Sequence, residues 1–390
     1  MAPKSLKSIF DVPSDDAKGT TKGVRDILLR DILSMDSINV LKYLTRIGLL
    51  KSGGECCSEC GPDVEPSLVK AADRSDGYKW RCPKCKDREH SLRDGSIFSG
   101  SKLDIVKAFA ILYMWAWDFD NHHAARELEV DAGAVVDWYA KFRNVCLKYN
   151  HAMMGKIGGP RTIVEFDQTC LVHQKQHRGK EKPGTQVWYC VGVERDAWGL
   201  CFVQRVRKRD VRTLDWVLET YVADGTTLIT DEWSATLNSH LRLAEHHFNH
   251  YLIKHKEAFA RWVNIEDPEL ASRLGIRQSS TGNHWLRVHT NKCEGLNAHL
   301  KHKLKRIRGT SLNYVDGYLA EAAFRHNSRA KSYGSVLEAF IDMVVPHFNS
   351  DYEPPIYKEN EGSDEEGIEN GDGDDWDVPE ESGWEDTMRL

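Results

Sequence analysis

Hydrophobic positions recur every three or four residues in much of the first half of the chain. Residues 24–50 follow this helical spacing and predict one or two short leader helices. Residues 103–150 show the same period over a longer stretch. Between them, residues 52–100 are rich in cysteine, glycine, proline and charge, with little periodicity, which is typical of a small module organised by a metal ion.

The pattern changes after residue 162. The runs TIVEFDQTCLV, QVWYCVGVERD and GLCFVQRVR are β-branched and aromatic and are bounded by glycine, proline or charge, so they predict three consecutive antiparallel strands. Residues 214–222 then predict a helix, residues 226–230 a short buried strand, and residues 291–306 a basic helix. This order of strands and helices predicts an α/β fold.

Charge is distributed unevenly along the chain. The net charge is −6, but residues 351–390 hold 16 acidic residues against two basic ones. Residues 1–350 therefore hold 51 basic and 43 acidic residues, a net charge of +8, which favours a polyanionic partner. The acidic stretch has too little apolar content to fold alone and is predicted to be disordered.

Neither a membrane span nor a secretory signal is predicted. No apolar run approaches the roughly 18 residues that a spanning helix needs. The first residues lack the apolar core of a signal peptide, so we expect a reducing compartment in which cysteines are thiols or metal ligands.

Two CxxC pairs lie in the non-helical module. Cys57-Ser-Glu-Cys60 and Cys82-Pro-Lys-Cys85 are separated by 21 residues, and tetrahedral zinc takes four thiolates from two such turns. We therefore expect one structural Zn²⁺ ion bound by Cys57, Cys60, Cys82 and Cys85, with Cys56 as an alternative to Cys57. Ordinary thiols are the competing interpretation, but two independent pairs rarely coincide.

A short helix, a turn near residues 129–132 and a longer helix are predicted within residues 103–150. This is the layout of a helix-turn-helix, whose second helix enters the major groove of DNA. The basic candidates for DNA contact on that helix are Lys141, Arg143 and Lys148. A plain helical connector is the alternative, because any two helices joined by a tight turn give the same pattern. The aromatic residues of the segment are expected in the core: Trp115, Trp117, Phe119, Trp138 and Phe142.

Three acidic residues are distinguished by their positions. Asp167 is central in the first predicted strand, Asp231 follows the short strand, and Glu294 lies near the start of the basic helix. A buried carboxylate is unfavourable without a partner, and a divalent metal ion is a natural one. Two Mg²⁺ or Mn²⁺ ions bridged by such carboxylates could carry out phosphodiester displacement. Spacing alone is weak support, since a chain with 59 acidic residues always contains some such trio.

The motifs around these acids resemble the Merlin superfamily of DNA transposons and the related bacterial insertion-sequence transposases with an ISXO2-like DDE domain. The matching motifs are CPKC, VEFDQT, ITDEWSA, HTNKCEGLNAHLK and FRHN, in this order over residues 40–330. The resemblance implies a ribonuclease-H-like core in which Asp167, Asp231 and Glu294 form the DDE triad and bind two metal ions. It departs at Gln168, where an acid commonly follows the first aspartate.

The resemblance also implies a function. A cut-and-paste transposase binds terminal inverted repeats, cleaves DNA and joins 3′-hydroxyl ends to target DNA. The expected partners are therefore double-stranded DNA, as transposon ends and as target, and further copies of the chain in a homodimer or larger assembly that holds two ends together. The run KHKLKRIR is a weak nuclear-localisation signal, so a nuclear location is expected.

Further polar residues near the triad are candidates for DNA contact, since phosphate contacts supply most of the affinity. They are Lys175, Arg178, His289, Asn291, Lys301 and Lys305. Solvated loops are the alternative interpretation for the first two. No histidine is expected as a metal ligand, and residues 251–285 have no predicted role.

These predictions divide the chain into five parts. They are an N-terminal leader (1–50), a zinc ribbon (51–100), a helix-turn-helix segment (101–155), a ribonuclease-H-like DDE catalytic domain (160–348) and a disordered acidic tail (351–390). Two other functions stay open: a domesticated transposase that acts as a DNA-binding regulator, and a nuclease without strand transfer. The intact triad counts against the first, whereas the sequence does not separate the second from transposition.

Overall fold

Short helices begin the chain. The computed structural model describes residues 6–53, 60, 64–85, 89–152, 155–170, 188–195, 199–231, 236, 238–306 and 312–344. Two 3-10 turns, Ile9–Asp11 and Asp16–Lys18, precede helices α1 (Leu29–Ser34) and α2 (Ser37–Arg46). The Asp36 carboxylate accepts the backbone N–H of Asn39 and so caps α2. These helices lie where the hydrophobic spacing predicted them.

The cysteine-containing module forms a three-stranded antiparallel sheet. Strands β1 (Ser67–Lys70), β2 (Tyr78–Arg81) and β3 (Glu89–Ser91) pair in chain order. Just after β3, the buried guanidinium of Arg93 donates to the carboxylate of Asp76 at 2.8 Å and to the carbonyl of Leu103 at 2.7 Å. This ion pair fastens the sheet to the segment that leads into the following helices.

Three helices follow: α3 (Ile105–Ala116), α4 (Asn121–Leu128) and α5 (Ala132–Ala152). Helix α4 ends at Glu129, which adopts the left-handed conformation with φ of 48°. The short helix, turn and long helix therefore lie where they were predicted. Trp115, Trp138 and Phe142 are buried as expected, but Trp117 is 55% exposed and Phe119 is 42% exposed, so the prediction of a core position was wrong for these two.

A five-stranded mixed sheet forms the centre of the second half. The two-residue strand β4 (Ile157–Gly158) precedes β5 (Ile163–Cys170), β6 (Trp188–Glu194) and β7 (Cys201–Val206). Helix α6 (Val211–Tyr221) and the short strand β8 (Val222–Ala223) lead to β9 (Thr227–Asp231). Strand β8 pairs with β4 outside the main sheet.

The segment between the second and third acids adds several elements that the sequence did not predict. Helix α7 (Ser239–Arg242) and a 3-10 turn (Ala244–His246) come before β10 (Asn249–Ile253), which joins the main sheet. Strands β11 (Arg261–Asn264) and β12 (Trp285–Val288) form a separate antiparallel pair, with α8 (Pro268–Arg273) between them in sequence. The chain continues into α9 (Asn291–Arg306), α10 (Leu312–Ala330), α11 (Val336–Ala339) and a π-helical turn (Phe340–Val344).

The main sheet has the order β10-β9-β5-β6-β7. Strands β5, β6 and β7 are antiparallel neighbours, whereas β9 runs parallel to both β5 and β10. This mixed α/β topology is compatible with the predicted ribonuclease-H-like core. The sheet alternation buries Phe166 and Phe202 against α6 on one face, and Tyr189 and Val191 against α9 and α10 on the other.

One hydrophobic core crosses the predicted module boundaries. It includes Ile9 of the leader, Trp80 of the small sheet and Trp115 of α3, and it continues to Phe324 of α10 and Phe340 near the end of the described chain. The leader, small sheet and helices therefore pack as one body with the last helices. The chain divides into the units Met1–Pro355 and Ile356–Leu390, and the predicted acidic tail lies outside the described residues. Among the described helices, none is long and apolar enough to cross a membrane.

A buried charge cluster joins α5, α9 and α10. The carboxylate of Glu321 on α10 lies 2.6 Å from Lys303 Nζ and 2.8 Å from Arg325 Nε, and 4.0 Å from Arg143 Nη1. Burial by itself raises the pKa of Glu321, but the neighbouring Arg325 and Lys303 outweigh it and lower the pKa to about 2. Arg325 also donates to the carbonyl of Ala116 at the end of α3. A single carboxylate thus holds three helices through their cations.

We predict that Glu321→Gln lowers the free energy of unfolding by about 3–5 kcal/mol, because it leaves buried cations without their counter-charge. Since the folded-state pKa lies below the ordinary value of 4.5, the contribution of Glu321 is present above pH 4.5 and is lost as the pH falls toward 2. Urea unfolding at several pH values measures both effects.

Asp316→Asn is the matched control, because Asp316 lies on the same helix but pairs with Arg205 at a half-exposed site. Its loss should be within about 1 kcal/mol. Equal losses for the two variants would contradict the role assigned to burial.

Candidate active site

The strand register brings the first two acids together. Phe166 of β5 lies opposite Thr230 of β9 in a parallel pair, and the next residues are Asp167 and Asp231. Both side chains therefore stand at neighbouring positions on adjacent strands, although 64 residues separate them in sequence. The short β9 ends at Asp231, which puts this carboxylate at the edge of the sheet.

Helix α9 brings the third acid to the same edge. Asn297 of α9 donates from Nδ2 to Asp167 Oδ2 at 2.9 Å. Glu294 lies three residues earlier on the helix, so it shares the face that looks toward the strands. Asp231 and Glu294 both act electrostatically on Asp167, so the three acids share one end of the site, although their oxygens do not all lie within 4.8 Å of one another.

The environment of these acids favours a cation. Burial, and then the negative charge of Asp231 and Glu294, raises the pKa of Asp167 to about 7. Burial also raises the pKa of Asp231, against the opposing effect of His255 and Arg209. Carboxylate oxygens are the ligands that Mg²⁺ and Mn²⁺ prefer. The donor set therefore fits divalent metal ions, which would relieve the repulsion between these three groups.

A histidine absent from the sequence-based candidates borders the site. His255 Nε2 lies 3.8 Å from Glu294 Oε1 and 2.9 Å from the hydroxyl of Thr290. The Thr290 hydroxyl in turn donates to Glu294 Oε1 at 3.5 Å. These contacts restrict the Glu294 side chain. His255 lies in a segment with no clear periodicity, so the sequence offered no signal for it.

A buried carboxylate outside the triad, that of Glu165, supports the site. Glu165 precedes Asp167 by two residues, points to the same face of β5 and is fully buried. Its Oε2 accepts the backbone N–H of Lys292 at 2.7 Å, and its Oε1 lies 3.0 Å from Arg195 Nε and 3.2 Å from His289 Nδ1. Burial raises the pKa of Glu165, whereas Arg195 and the N–H of Lys292 oppose that shift.

The Glu165 contacts position α9. A carboxylate at the first turn of a helix satisfies backbone N–H groups that lack a partner within the helix and complements the helix dipole. Arg195 extends the contact by donating to the carbonyls of Arg287 and His289 at 2.6 and 2.9 Å. Glu165 therefore holds the start of the helix that carries Glu294. Its place two residues before Asp167 was the available sequence signal.

The structure puts the predicted DNA-contact residues in different environments. Arg143 is 5% exposed and its guanidinium lies 4.1 Å from the centre of the Tyr318 ring, so its burial argues against the predicted contact. Lys141 is half-buried, with Nζ 5.2 Å from the Trp138 ring centre, whereas Lys148 is exposed.

The remaining candidates lie nearer the acids or outside the described part of the chain. His289 faces Glu165, Asn291 is exposed at the start of α9, and Lys301 lies near enough to Asp167 to lower its pKa. Lys175 and Arg178 lie outside the described residues, as does the side chain of Lys305.

Helix α5 is more buried than a simple recognition helix. Its exposed positions form a narrow stripe that includes Val136, Asp137, Asn144 and Lys148, while most other positions pack against α3, α4 or α10. A short helix, a turn and a long helix are present, but the exposed surface of α5 is small. The alternative interpretation of this segment as a plain helical connector therefore stays open.

Three cysteines of the small sheet converge. The Sγ atoms of Cys60, Cys82 and Cys85 all lie within 4.8 Å of one another. Thiolates about 2.3 Å from a common tetrahedral ion would have such separations. The fourth predicted ligand, Cys57, lies outside the described residues. The described part of the module thus fits a metal ion held by three cysteines and a further ligand.

Comparison with known protein families agrees with the motifs. A family model for the ISXO2-like transposase domain matches residues 157–327. The match includes Asp167, Asp231 and Glu294 and the whole of the five-stranded sheet. A search of curated proteins finds none that matches the chain. The predicted resemblance to DDE transposases is confirmed, while membership of the Merlin superfamily stays a prediction.

We predict that Glu165→Gln shifts the metal dependence of this site. Without the carboxylate, the start of α9 is held less firmly and Glu294 is displaced from the other two acids. The Mn²⁺ concentration for half-maximal binding, measured by electron paramagnetic resonance, should rise by about 10–100-fold, the range for residues that orient metal ligands.

Glu194→Gln is the control for this change. The Glu194 carboxylate also accepts backbone N–H groups, from Gly158 at 2.8 Å and Leu200 at 2.9 Å, but it does not contact α9. Unchanged Mn²⁺ binding in Glu165→Gln, or an equal shift in Glu194→Gln, would show that Glu165 does not position Glu294.

We predict one tightly held zinc ion per chain, lost in the double variant Cys82→Ser/Cys85→Ser. So small a sheet has little core of its own, and its folding is expected to depend on the ion. Elemental analysis of the purified protein measures the zinc content, and Cys146→Ala, a change at a buried cysteine of α5, should retain it. Zinc retained in the double variant would rule out this ligand set.

Proposed function

Since residues 157–327 carry a DDE transposase domain of the ISXO2-like family, we propose that the protein is a cut-and-paste DNA transposase. It binds the terminal inverted repeats of its element, cleaves DNA and joins the 3′-hydroxyl ends to target DNA. The observation that carries this proposal is the convergence of Asp167, Asp231 and Glu294 on one edge of the sheet.

In this proposal the three acids hold two Mg²⁺ or Mn²⁺ ions. When bound, such ions would activate the attacking oxygen and stabilise the leaving oxygen of a phosphodiester displacement. Asp167 and Asp231 are held on adjacent strands, so their separation is set by the sheet. Glu294 is held by Thr290 and by the contact of Glu165 with the start of α9. Asn297 orients the Asp167 carboxylate.

Two successive displacements complete the reaction. Water attacks the phosphodiester at the element end and leaves a 3′-hydroxyl and a 5′-phosphate. That 3′-hydroxyl then attacks a phosphodiester of the target, forming one bond and breaking one. Both steps use the same acids, and no covalent bond to the protein is required.

The other parts of the chain serve DNA recognition in this proposal. The small sheet holds one structural Zn²⁺ ion through Cys57, Cys60, Cys82 and Cys85. Helices α4 and α5 contribute contacts to the element ends, with Lys148 as the exposed basic residue. A homodimer or larger assembly in the nucleus holds two ends together, because both must be cut and joined.

We predict that Asp167→Asn, Asp231→Asn and Glu294→Gln each reduce cleavage of the element ends about a thousandfold or more in Mg²⁺. Each change keeps the shape of the side chain and removes the charge that the ions need, so DNA affinity should stay within a few-fold of the unchanged protein. Gel analysis of cleaved ends and of product joined to a target plasmid measures both steps.

Glu269→Gln serves as the control, because Glu269 is an exposed carboxylate in the first turn of α8 and belongs to none of the described contacts of the three acids. Full cleavage by any of the three variants would remove that residue from the triad. Cleavage without joined product would indicate a nuclease, and specific DNA binding without cleavage by the unchanged chain would indicate a domesticated regulator.

A further inference from the structure

The paired strands β11 and β12 present two chemically different faces. Val263 lies opposite Leu286, and both pack with Ile229 of β9 and Ile253 of β10 in a small core. The side chains of alternate residues point the other way. Those residues are Trp262, Asn264, Trp285 and Arg287, and they form what we call the tryptophan face.

The tryptophan face is exposed although its two largest side chains are aromatic. Trp262 is 63% exposed and Trp285 is 43% exposed, and Phe259 just before β11 is 80% exposed. Large apolar side chains grouped at the surface are typical of interaction sites. Among the described residues, no other aromatic ring packs on either tryptophan, and the exposed part of each ring can be reached by a partner.

The spacing of the two tryptophans suits a flat ligand. Trp262 lies directly opposite Arg287, and Trp285 is the diagonal neighbour two positions along. Diagonal neighbours in an antiparallel pair are about 7–8 Å apart. Both tryptophans are therefore within reach of neighbouring bases of one strand.

One exposed cation on this face favours an anion. Residues 261–288, from the start of β11 to the end of β12, contain four arginines and three acidic residues, so the positive charge of the face itself comes from Arg287. Arg287 lies in the middle of the face, its side chain is exposed, and the structure pairs it with no carboxylate among the described residues. Aromatic rings next to an unpaired guanidinium are the combination that binds single-stranded nucleic acid, with bases on the rings and phosphates on the cations.

The face is close to the acids along the chain. Thr290, whose hydroxyl bonds Glu294, lies five positions after Trp285, and an extended chain of that length spans about 17 Å at most. The carbonyl of Arg287 also accepts from Arg195, which pairs with Glu165. The face therefore lies within about 17 Å of Thr290, which bonds Glu294.

We propose that the tryptophan face binds unpaired nucleotides of the DNA strand next to the phosphodiester that is cleaved. This inference rests on the proposed function for the choice of DNA, and it gives a role to the segment between the second and third acids. Trp262 and Trp285 stack on the bases, and Arg287 contacts the backbone. Single-stranded DNA is preferred there because bases in a duplex do not expose their faces.

The test compares the full chain with the double variant Trp262→Ala/Trp285→Ala in buffer without added Mg²⁺ or Mn²⁺, where cleavage does not proceed and the zinc ion is not chelated. Fluorescence anisotropy measures binding of a labelled 12-nucleotide oligo-dT strand and of a 12-base-pair duplex. We expect the affinity for the single strand to fall tenfold or more, because each ring removes a stacking contact, while the affinity for the duplex changes less than twofold. Trp262→Phe/Trp285→Phe should restore most of the single-strand affinity.

Phe10→Ala is the control, since Phe10 is 50% exposed and lies in the N-terminal 3-10 turn. The proposal is overturned if the alanine variant binds the single strand normally, or if it loses affinity for both DNAs equally. It is also overturned if light scattering shows that the change only separates copies of the chain, which would make this face a subunit contact.

The two proposals fail separately in these experiments. Loss of single-strand binding in the alanine variant, together with no cleavage by the unchanged chain in Mg²⁺, would reject transposition and retain the DNA-binding face. Normal cleavage and joining by the unchanged chain, together with unaltered single-strand binding by the alanine variant, would reject the DNA-binding face and retain transposition.

Discussion

The buried carboxylate of Glu165 is the contact on which the geometry of the acidic site depends. Asp167 and Asp231 need no further support, since hydrogen bonding between β5 and β9 sets their separation. Glu294 is on a helix, and a helix packed on a sheet can slide or tilt unless its end is held. Glu165 holds that end through the N–H of Lys292 and through Arg195 and His289. Removing this anchor would leave the start of α9 without its charged contact, and the hydrophobic packing beneath the helix is not directional.

The buried acids Glu321 and Asp167 have opposite electrostatic surroundings. Glu321 is surrounded by cations of the same chain, which lower its pKa to about 2 and make it a structural residue. Asp167 has acids as its main charged neighbours, and its pKa is raised to about 7. Lys301 near Asp167, and His255 and Arg209 near Asp231, do not outweigh the effects that raise the pKa of these two acids, so an external cation would be stabilised there. This contrast distinguishes the candidate metal site from an ordinary buried ion pair.

The continuous core also changes how the N-terminal part is understood. Residues of the leader, of the small sheet and of α3 to α5 share one hydrophobic cluster with α10 and the π-helical turn. In addition, Arg143 of α5 meets Glu321 of α10. Any DNA bound by the N-terminal part would therefore be held in a defined relation to the acids, since the elements that carry both are packed together.

Sequence by itself determined the local features. The spacing of apolar residues predicted the positions of β5, β6, β7, β9 and α9. It could do so because the residues within one element show which of its faces is buried. The motifs predicted the triad, and the CxxC spacing predicted a site at Cys60, Cys82 and Cys85, whose sulfur atoms do converge.

Only the tertiary structure decided which residues neutralise, cover or expose one another. Glu165 contacts Arg195, 30 positions away in the chain, and Lys292, 127 positions away. Arg143 is buried, although its positive charge made it a candidate for DNA contact. The exposed positions of Trp117 and Trp262 were equally invisible in the sequence. The physical reason is that burial and charge pairing depend on segments distant in the chain, whereas periodicity reports only on positions within one element.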